Sequence, residues 1–138
     1  MKNRKSNFFD CISTALFVLL LSVAGIAKAN PVDRRYARIV ATHFLDINGG
    51  RSNDLTDISE AAGFEHLYVF ATDNSFVIVA DDNRVQPILG YSFSGQFASE
   101  NMPDNIRGWL QGYSNMVQAA IENQQRATAD VARQWTAL

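Results

Sequence analysis

Cysteine and lysine are nearly absent from this sequence. The 138 residues contain one cysteine, Cys11, and three lysines, all within the first 28 positions. Without that N-terminal segment the chain can form no disulfide, so an apolar core must hold it together, and a cysteine nucleophile is excluded. His43 and His66 are the only histidines and have no acidic residue at ligand spacing. The sequence therefore predicts no metal site and no cofactor.

Residues 1–29 have the three-part layout of a secretory signal. Basic residues open the segment, an apolar run follows from Ile12 to Ile26, and Ala27-Lys28-Ala29 places small residues at the −3 and −1 positions. The apolar run is shorter than the roughly 20 residues of a membrane span, which favours cleavage over a retained anchor. We therefore expect an exported protein, periplasmic or secreted, with no membrane contact after cleavage.

The chain beyond residue 29 is acidic. The signal holds four of the 12 basic and one of the 14 acidic residues, which leaves eight arginines, thirteen acids and a formal charge of −5. Dispersed arginines in an acidic chain argue against nucleic acid or an anionic membrane as a partner. Removing 29 of the 138 residues leaves 109, the size of one small domain.

Two helices are predicted from apolar residues at helical spacing. The first extends from Pro31 to Ile47, with Asn30 as a possible cap and Gly49-Gly50 at its end. Its expected core stripe is Tyr36, Ile39, Val40, His43, Phe44 and Ile47. His43 is accordingly interpreted as a core histidine.

The second helix begins near Pro103, with Asn101 as a plausible cap. Its expected core stripe is Ile106, Trp109, Leu110, Tyr113, Val117, Ala120 and Ile121. Gly108 and Gly112 lie four residues apart, and we expect them to let this helix approach a sheet closely.

Three β-prone runs between the helices predict an antiparallel meander. They are Leu67–Phe70, Phe76–Ala80 and Val85–Tyr91. Pro87 lacks an amide proton, so the third run should be an edge or bulged strand. In residues 51–63 the first expectation is a short edge strand, and the alternative is a helical turn at Ser59–Ala62.

Both faces of this sheet carry bulky apolar residues. Tyr68, Phe70, Val77 and Val79 share one face by alternation. Helices on one side only would leave that face exposed, and a large exposed apolar patch usually marks a partner surface. In the alternative, helices and loops cover both faces.

The sequence offers no assembled active site. Asp81 and Asp82 are adjacent at the end of a strand, so they should point to opposite faces and serve the turn that follows. No serine has a base at a suggestive position. We predict that the chain is not an enzyme and has no catalytic residues.

The meander, the loop after it and the second helix together resemble the prodomain of the streptopain family of cysteine peptidases, and the small free-standing inhibitors related to that prodomain. The resemblance is carried by Leu67–Phe70, Phe76–Asp82, Pro87–Ser92, Gly95–Phe97, and Asn105-Ile106 with Tyr113. It implies a cystatin-like α+β domain, in which a small antiparallel sheet of three to four strands packs with two main helices.

The resemblance also implies a mode of action. In the family the prodomain holds the peptidase inactive, and an asparagine from the loop before the last helix enters the active-site region. The matching residue here is Asn105, and the implied inhibitory loop is Asn101, Met102, Pro103, Asp104 and Asn105. In the alternative, Asn105 is only a cap or first-turn residue of the helix.

Three interpretations follow, with residues 30–124 as the functional domain and residues 125–138 as a linker or C-terminal tail, the alternative for the tail being a frayed helix. In the first, the chain is a secreted inhibitor whose partner is a streptopain-like cysteine peptidase. In the second, it is the N-terminal propeptide of a truncated or cut zymogen. In the third, it is a secreted binding module unrelated to peptidases.

Overall fold

The computed structural model describes residues 30–138, so the predicted signal lies outside the described residues. Their helices are α1 (Arg34–Ile47), α2 (Ser59–Ala62), α3 (Asp104–Glu122) and α4 (Ala129–Ala137), and their strands are β1 (Thr56–Asp57), β2 (Leu67–Ala71), β3 (Phe76–Ala80) and β4 (Ile88–Ser92). The strands form one antiparallel sheet in the order β1-β2-β3-β4, which confirms the α+β class. Within residues 30–138, every helix is too short or too polar to span a bilayer.

Helix α1 begins three residues later than the sequence predicts. The Asp33 carboxylate accepts a hydrogen bond from the Tyr36 amide at 2.8 Å and so caps the helix, whereas Pro31 pairs with Asp82 in an isolated β-bridge. The cap predicted at Asn30 is therefore wrong, because the chain before Asp33 is extended alongside the turn after β3. The helix ends at the predicted glycines: Gly49 has φ 77° and the Gly50 amide donates to the Leu45 carbonyl.

The buried face of α1 is rotated from the predicted stripe. The buried residues are Ala37, Val40, Ala41 and Leu45, whereas Tyr36, Ile39 and Ile47 are exposed. His43 is exposed as well, with Nδ1 2.9 Å from the Leu138 carbonyl oxygen, so its interpretation as a core histidine is wrong. Small alanine side chains let the helix lie close to the sheet, and the larger residues of α1 then fall outside the contact.

Helix α1 covers the sheet face that could have been a partner surface. Phe70, Val77 and Val79 are fully buried, and the Tyr68 hydroxyl donates to the Val32 carbonyl at 3.1 Å. Burial, followed by the nearby Asp81 carboxylate, raises the pKa of Tyr68. The proposed partner surface at Tyr68, Phe70, Val77 and Val79 is therefore corrected: the alternative, with both faces covered, describes this fold.

Helix α3 and the loop before it cover the opposite face. A β-carbon added at Gly90 of β4 would lie 3.3 Å from Ile78 and 3.6 Å from Trp109, so Gly90 faces this helix and a side chain there would crowd Ile78. A β-carbon at Gly108 or Gly112 would meet nothing within 4 Å. The close-approach role predicted for those two glycines is wrong, since both lie on the solvent side of α3.

The edges of the sheet follow the sequence patterns. Both elements considered for residues 51–63 are present, as β1 and α2. Strand β4 is an edge strand, and its register with β3 shifts between Ile78 and Val79, close to Pro87. The prediction of an edge or bulged strand there is confirmed, because Pro87 can only accept: its carbonyl receives the Ala80 amide.

The C-terminal residues form a docked helix and not a loose tail. The Thr128 hydroxyl caps α4 by accepting from the Val131 amide. Trp135 is 6% exposed, stacks on Tyr36 at 6.0 Å between ring centroids, and donates from its indole nitrogen to the Val85 carbonyl at 2.7 Å. The linker assigned to residues 125–138 is therefore corrected, because this tryptophan joins α4 to the turn between β3 and β4.

The two tryptophans should differ sharply in their effect on stability. Trp135→Ala removes a buried ring and its hydrogen bond, and should lower the free energy of unfolding by about 3–5 kcal/mol. Trp109 is 51% exposed, so Trp109→Ala should cost less than half as much. Urea unfolding followed by circular dichroism measures both, and equal losses would contradict the docking of α4.

Candidate functional site

The predicted inhibitory loop lies at the junction between the sheet and helix α3. Asn101, Pro103, Asp104 and Asn105 are exposed, and Met102 is 7% exposed. The segment therefore presents four residues to solvent and is held to the domain by one side chain between them.

Met102 belongs to the buried core cluster, so it anchors the loop, and it lines an apolar groove of about 220 Å³ beside it. The groove is lined mainly by aromatic and aliphatic side chains, including Phe76, Ile78, Phe97, Ile106, Trp109 and Leu110. Phe97, from the incoming loop, packs edge-on against Phe76 of β3 with ring centroids 5.4 Å apart. This contact joins the incoming loop to β3, one of the two central strands of the sheet.

The backbone conformation on both sides of Met102 fixes the direction of the loop. Asn101 has φ 54°, a left-handed conformation that asparagine tolerates better than most residues. Pro103 then occupies the N-cap position, and its carbonyl accepts from the Ile106 and Arg107 amides at 3.0 Å each. The cap predicted at Asn101 is wrong, since α3 has no side-chain cap.

Asn105 lies in the first turn of α3 with its side chain exposed. Within residues 30–138 the side-chain carboxamide of Asn105 makes no hydrogen bond. It is a first-turn residue, as the structural alternative proposed, but it does not cap the helix. Its carboxamide is thus available to donate and accept hydrogen bonds with another molecule.

The two adjacent acids after β3 have structural partners. Asp81 lies 3.0 Å from Nδ1 of His66, and the buried Asp82 accepts from the Arg84 guanidinium at 2.5 Å. This confirms that they point to different surroundings and serve the turn. In the described part of the chain, no three His, Cys, Asp or Glu residues come together in a way that could hold a metal ion.

The domain thus presents an exposed polar loop, Asn101–Asn105, which is attached to the core by the buried Met102. Residues 29–117 match the family model described as Spi protease inhibitor. The chain belongs to this family, and the matched segment is a domain of the peptidase-inhibitor or propeptide type. The resemblance to the streptopain prodomain and its related inhibitors is thereby confirmed.

Two longer proteins are similar to this chain. It is 32% identical over 114 residues to the thiol protease/hemagglutinin PrtT of Porphyromonas gingivalis, covering 75% of this chain and 13% of that protein. It is 31% identical over 117 residues to streptopain of Streptococcus pyogenes, covering 71% of this chain and 29% of that protein. The chain therefore spans less than a third of the length of these curated relatives.

Sequence reasoning missed the features that support the loop. Met102 was predicted as a member of the loop, but its role as the anchor depends on Phe76 and Phe97, which are distant in sequence. The only signal for the anchor in the sequence was Met102 itself, an apolar residue within a polar segment.

The anchoring role of Met102 can be tested against a second methionine. Met102→Ala should lower the free energy of unfolding by about 2–5 kcal/mol, because it leaves a cavity under the loop. Met116 is 40% exposed, so Met116→Ala is the matched control and should cost less than about 1.5 kcal/mol. Thermal unfolding measures both losses, and a Met102 variant as stable as the control would contradict the anchor.

Proposed function

We propose that this chain is an exported inhibitor that blocks a streptopain-like cysteine peptidase by placing the loop Asn101–Asn105 in the active-site cleft. The observation that carries the proposal is the exposed carboxamide of Asn105 on a loop braced by a buried anchor, in a member of a protease-inhibitor family.

The physical chemistry of the loop supports insertion into a cleft. A carboxamide can both donate and accept, so it suits a site that contains donors and acceptors. The buried side chain of Met102 and the fixed φ of Pro103 restrict the conformations of the loop before binding. Less conformational entropy is then lost on association than a flexible loop would lose.

The kind of peptidase and the compartment are inferred from separate observations. The identity to streptopain supports a peptidase of that kind as the target. The signal-like pattern of residues 1–29 supports export, to the periplasm or the medium. An inhibitor in the same compartment as its peptidase would protect the cell that produces both.

A second candidate is the propeptide of a zymogen. It is favoured by the relatives, which are proteases several times longer than the aligned segment. The gene sequence after the Leu138 codon separates the two candidates. A stop codon there supports the inhibitor, and an in-frame peptidase domain supports the propeptide.

Inhibition in trans is the direct test of the proposal. Residues 30–138 contain every element of the described fold, and this protein should abolish the activity of a purified streptopain-like peptidase at a near-stoichiometric amount. Hydrolysis of a fluorogenic peptide measures the residual activity. Unchanged turnover at a large excess of the protein would rule the proposal out.

The contribution of Asn105 is measured by its alanine variant. Asn105→Ala should raise the inhibition constant about 10- to 100-fold, since an unmade hydrogen bond in a buried cleft costs about 1–3 kcal/mol. Its unfolding midpoint should stay close to that of the wild type, because the side chain is exposed. Asn115→Ala makes the same change on another exposed turn of α3 and should leave inhibition unaltered. Equal inhibition by both variants would remove Asn105 from the site.

A further inference from the structure

Helix α3 has an exposed face that is neither core nor polar surface. Its buried residues are Leu110, Ser114, Val117 and Ala120. A second face is polar and internally hydrogen-bonded, from Gln111 to Asn115 at 3.0 Å and from Gln118 to Glu122 at 2.7 Å. The third face carries Trp109, Gly112, Met116 and Ala119, all exposed. We refer to these four residues as the exposed stripe.

The exposed stripe has the character of a contact surface. Trp109 is 51% exposed and Met116 is 40% exposed, and the stripe contains no charged residue. Tryptophan and methionine are enriched in interfaces relative to the rest of a protein surface, so two such exposed side chains favour a binding role for the stripe. Between them, Gly112 leaves open space where a side chain would be, so another molecule could approach the helix backbone there.

The stripe is continuous with Asn105. Positions 105, 109, 112 and 116 are separated by four, three and four residues, which places them on one face of a helix. At a rise of about 1.5 Å per residue, Met116 lies about 16 Å along the helix from Asn105. Any molecule that receives the Asn105 side chain and continues along this face of α3 meets Trp109, Gly112 and Met116 in turn.

We propose that the exposed stripe is a second contact with the peptidase, in which α3 lies along an apolar surface beside the active-site cleft. This inference rests on the proposed function and adds to it the surface that orients the loop. The peptidase is the occupant because the stripe lies on the same face of α3 as Asn105, the residue that the proposed function places in the cleft. Another cluster with exposed aromatics, formed by Phe44, Tyr91 and Phe93, is on the α1 side of the sheet and does not share a face with Asn105.

The stripe adds binding energy without supplying the inhibitory group. Apolar contact along α3 should slow dissociation, since most affinity differences among variants of one interface are expressed in the dissociation rate. A charge placed in the middle of such a contact is left without a partner when the surface is buried. Substitution in the stripe should therefore weaken binding while the loop itself is unchanged.

The test compares one charge at two neighbouring positions of α3. Met116→Glu puts a carboxylate in the stripe, and Asn115→Glu puts the same carboxylate on the polar face, so both variants add one negative charge to the same turn of α3. Residues 30–138 are titrated against the streptopain-like peptidase, and inhibition and dissociation are measured. Met116→Glu should raise the inhibition constant at least 10-fold through faster dissociation, and Asn115→Glu should change it less than twofold. Equal effects of the two variants would overturn the proposal.

A glycine substitution keeps the test informative if Met116→Glu folds poorly. Gly112→Gln should raise the unfolding midpoint, because glycine is a poor residue for a helix interior, and should weaken inhibition at least 10-fold by filling the gap in the stripe. Unweakened inhibition by a stabilised Gly112→Gln variant would also overturn the proposal.

The result for the stripe can be separated from the result for the loop. If the wild-type protein does not inhibit, the proposed function fails and the stripe proposal fails with it. If the wild type inhibits and Asn105→Ala weakens inhibition, but neither Met116→Glu nor Gly112→Gln does so, only the stripe proposal is wrong.

Discussion

The structure depends on burial of the two central strands between helices on both sides. Without cysteine beyond residue 11, disulfides cannot support the described domain, so apolar packing must do so. Phe70, Val77 and Val79 are completely buried under α1, and Ile78 is almost completely buried on the opposite face. Each such side chain contributes about 1.5–3 kcal/mol relative to exposure. Ala37 and Ala41 make this possible, because they bring α1 close to the sheet.

The same strands position the candidate site. Phe76 and Ile78 of β3 line the same apolar groove as Met102, and the buried Met102 holds the loop that leads to Asn105. A buried anchor restricts the conformations open to the loop, which limits the entropy lost on binding. The exposed stripe of α3 lies on the same face of the helix as Asn105.

The sequence predicted which elements exist better than which faces they bury. The strands were predictable because β-branched and aromatic runs between turn residues are a local signal. The burial of α1 was not, because Tyr36, Ile39 and Ile47 have the helical period but Ala37 and Ala41 fit against the sheet. Trp109 was expected in the core stripe of α3 but is 51% exposed, whereas Trp135, in the expected tail, is buried. The contact of Trp135 with Val85 joins residues 50 apart, so no local pattern could indicate it. The loop came from the family resemblance, and its anchor required the tertiary structure.

The most direct test of the central claim is hydrogen exchange of residues 30–138, alone and bound to a streptopain-like peptidase whose catalytic cysteine has been replaced. The claim is that the loop before α3 enters the partner's cleft as a preformed unit. It predicts that exchange slows across residues 98–106 on binding, with little change in β2 and β3, which are already protected. Unchanged exchange in residues 98–106 together with protection at Tyr91 and Phe93 would show that another surface binds, and would contradict the account.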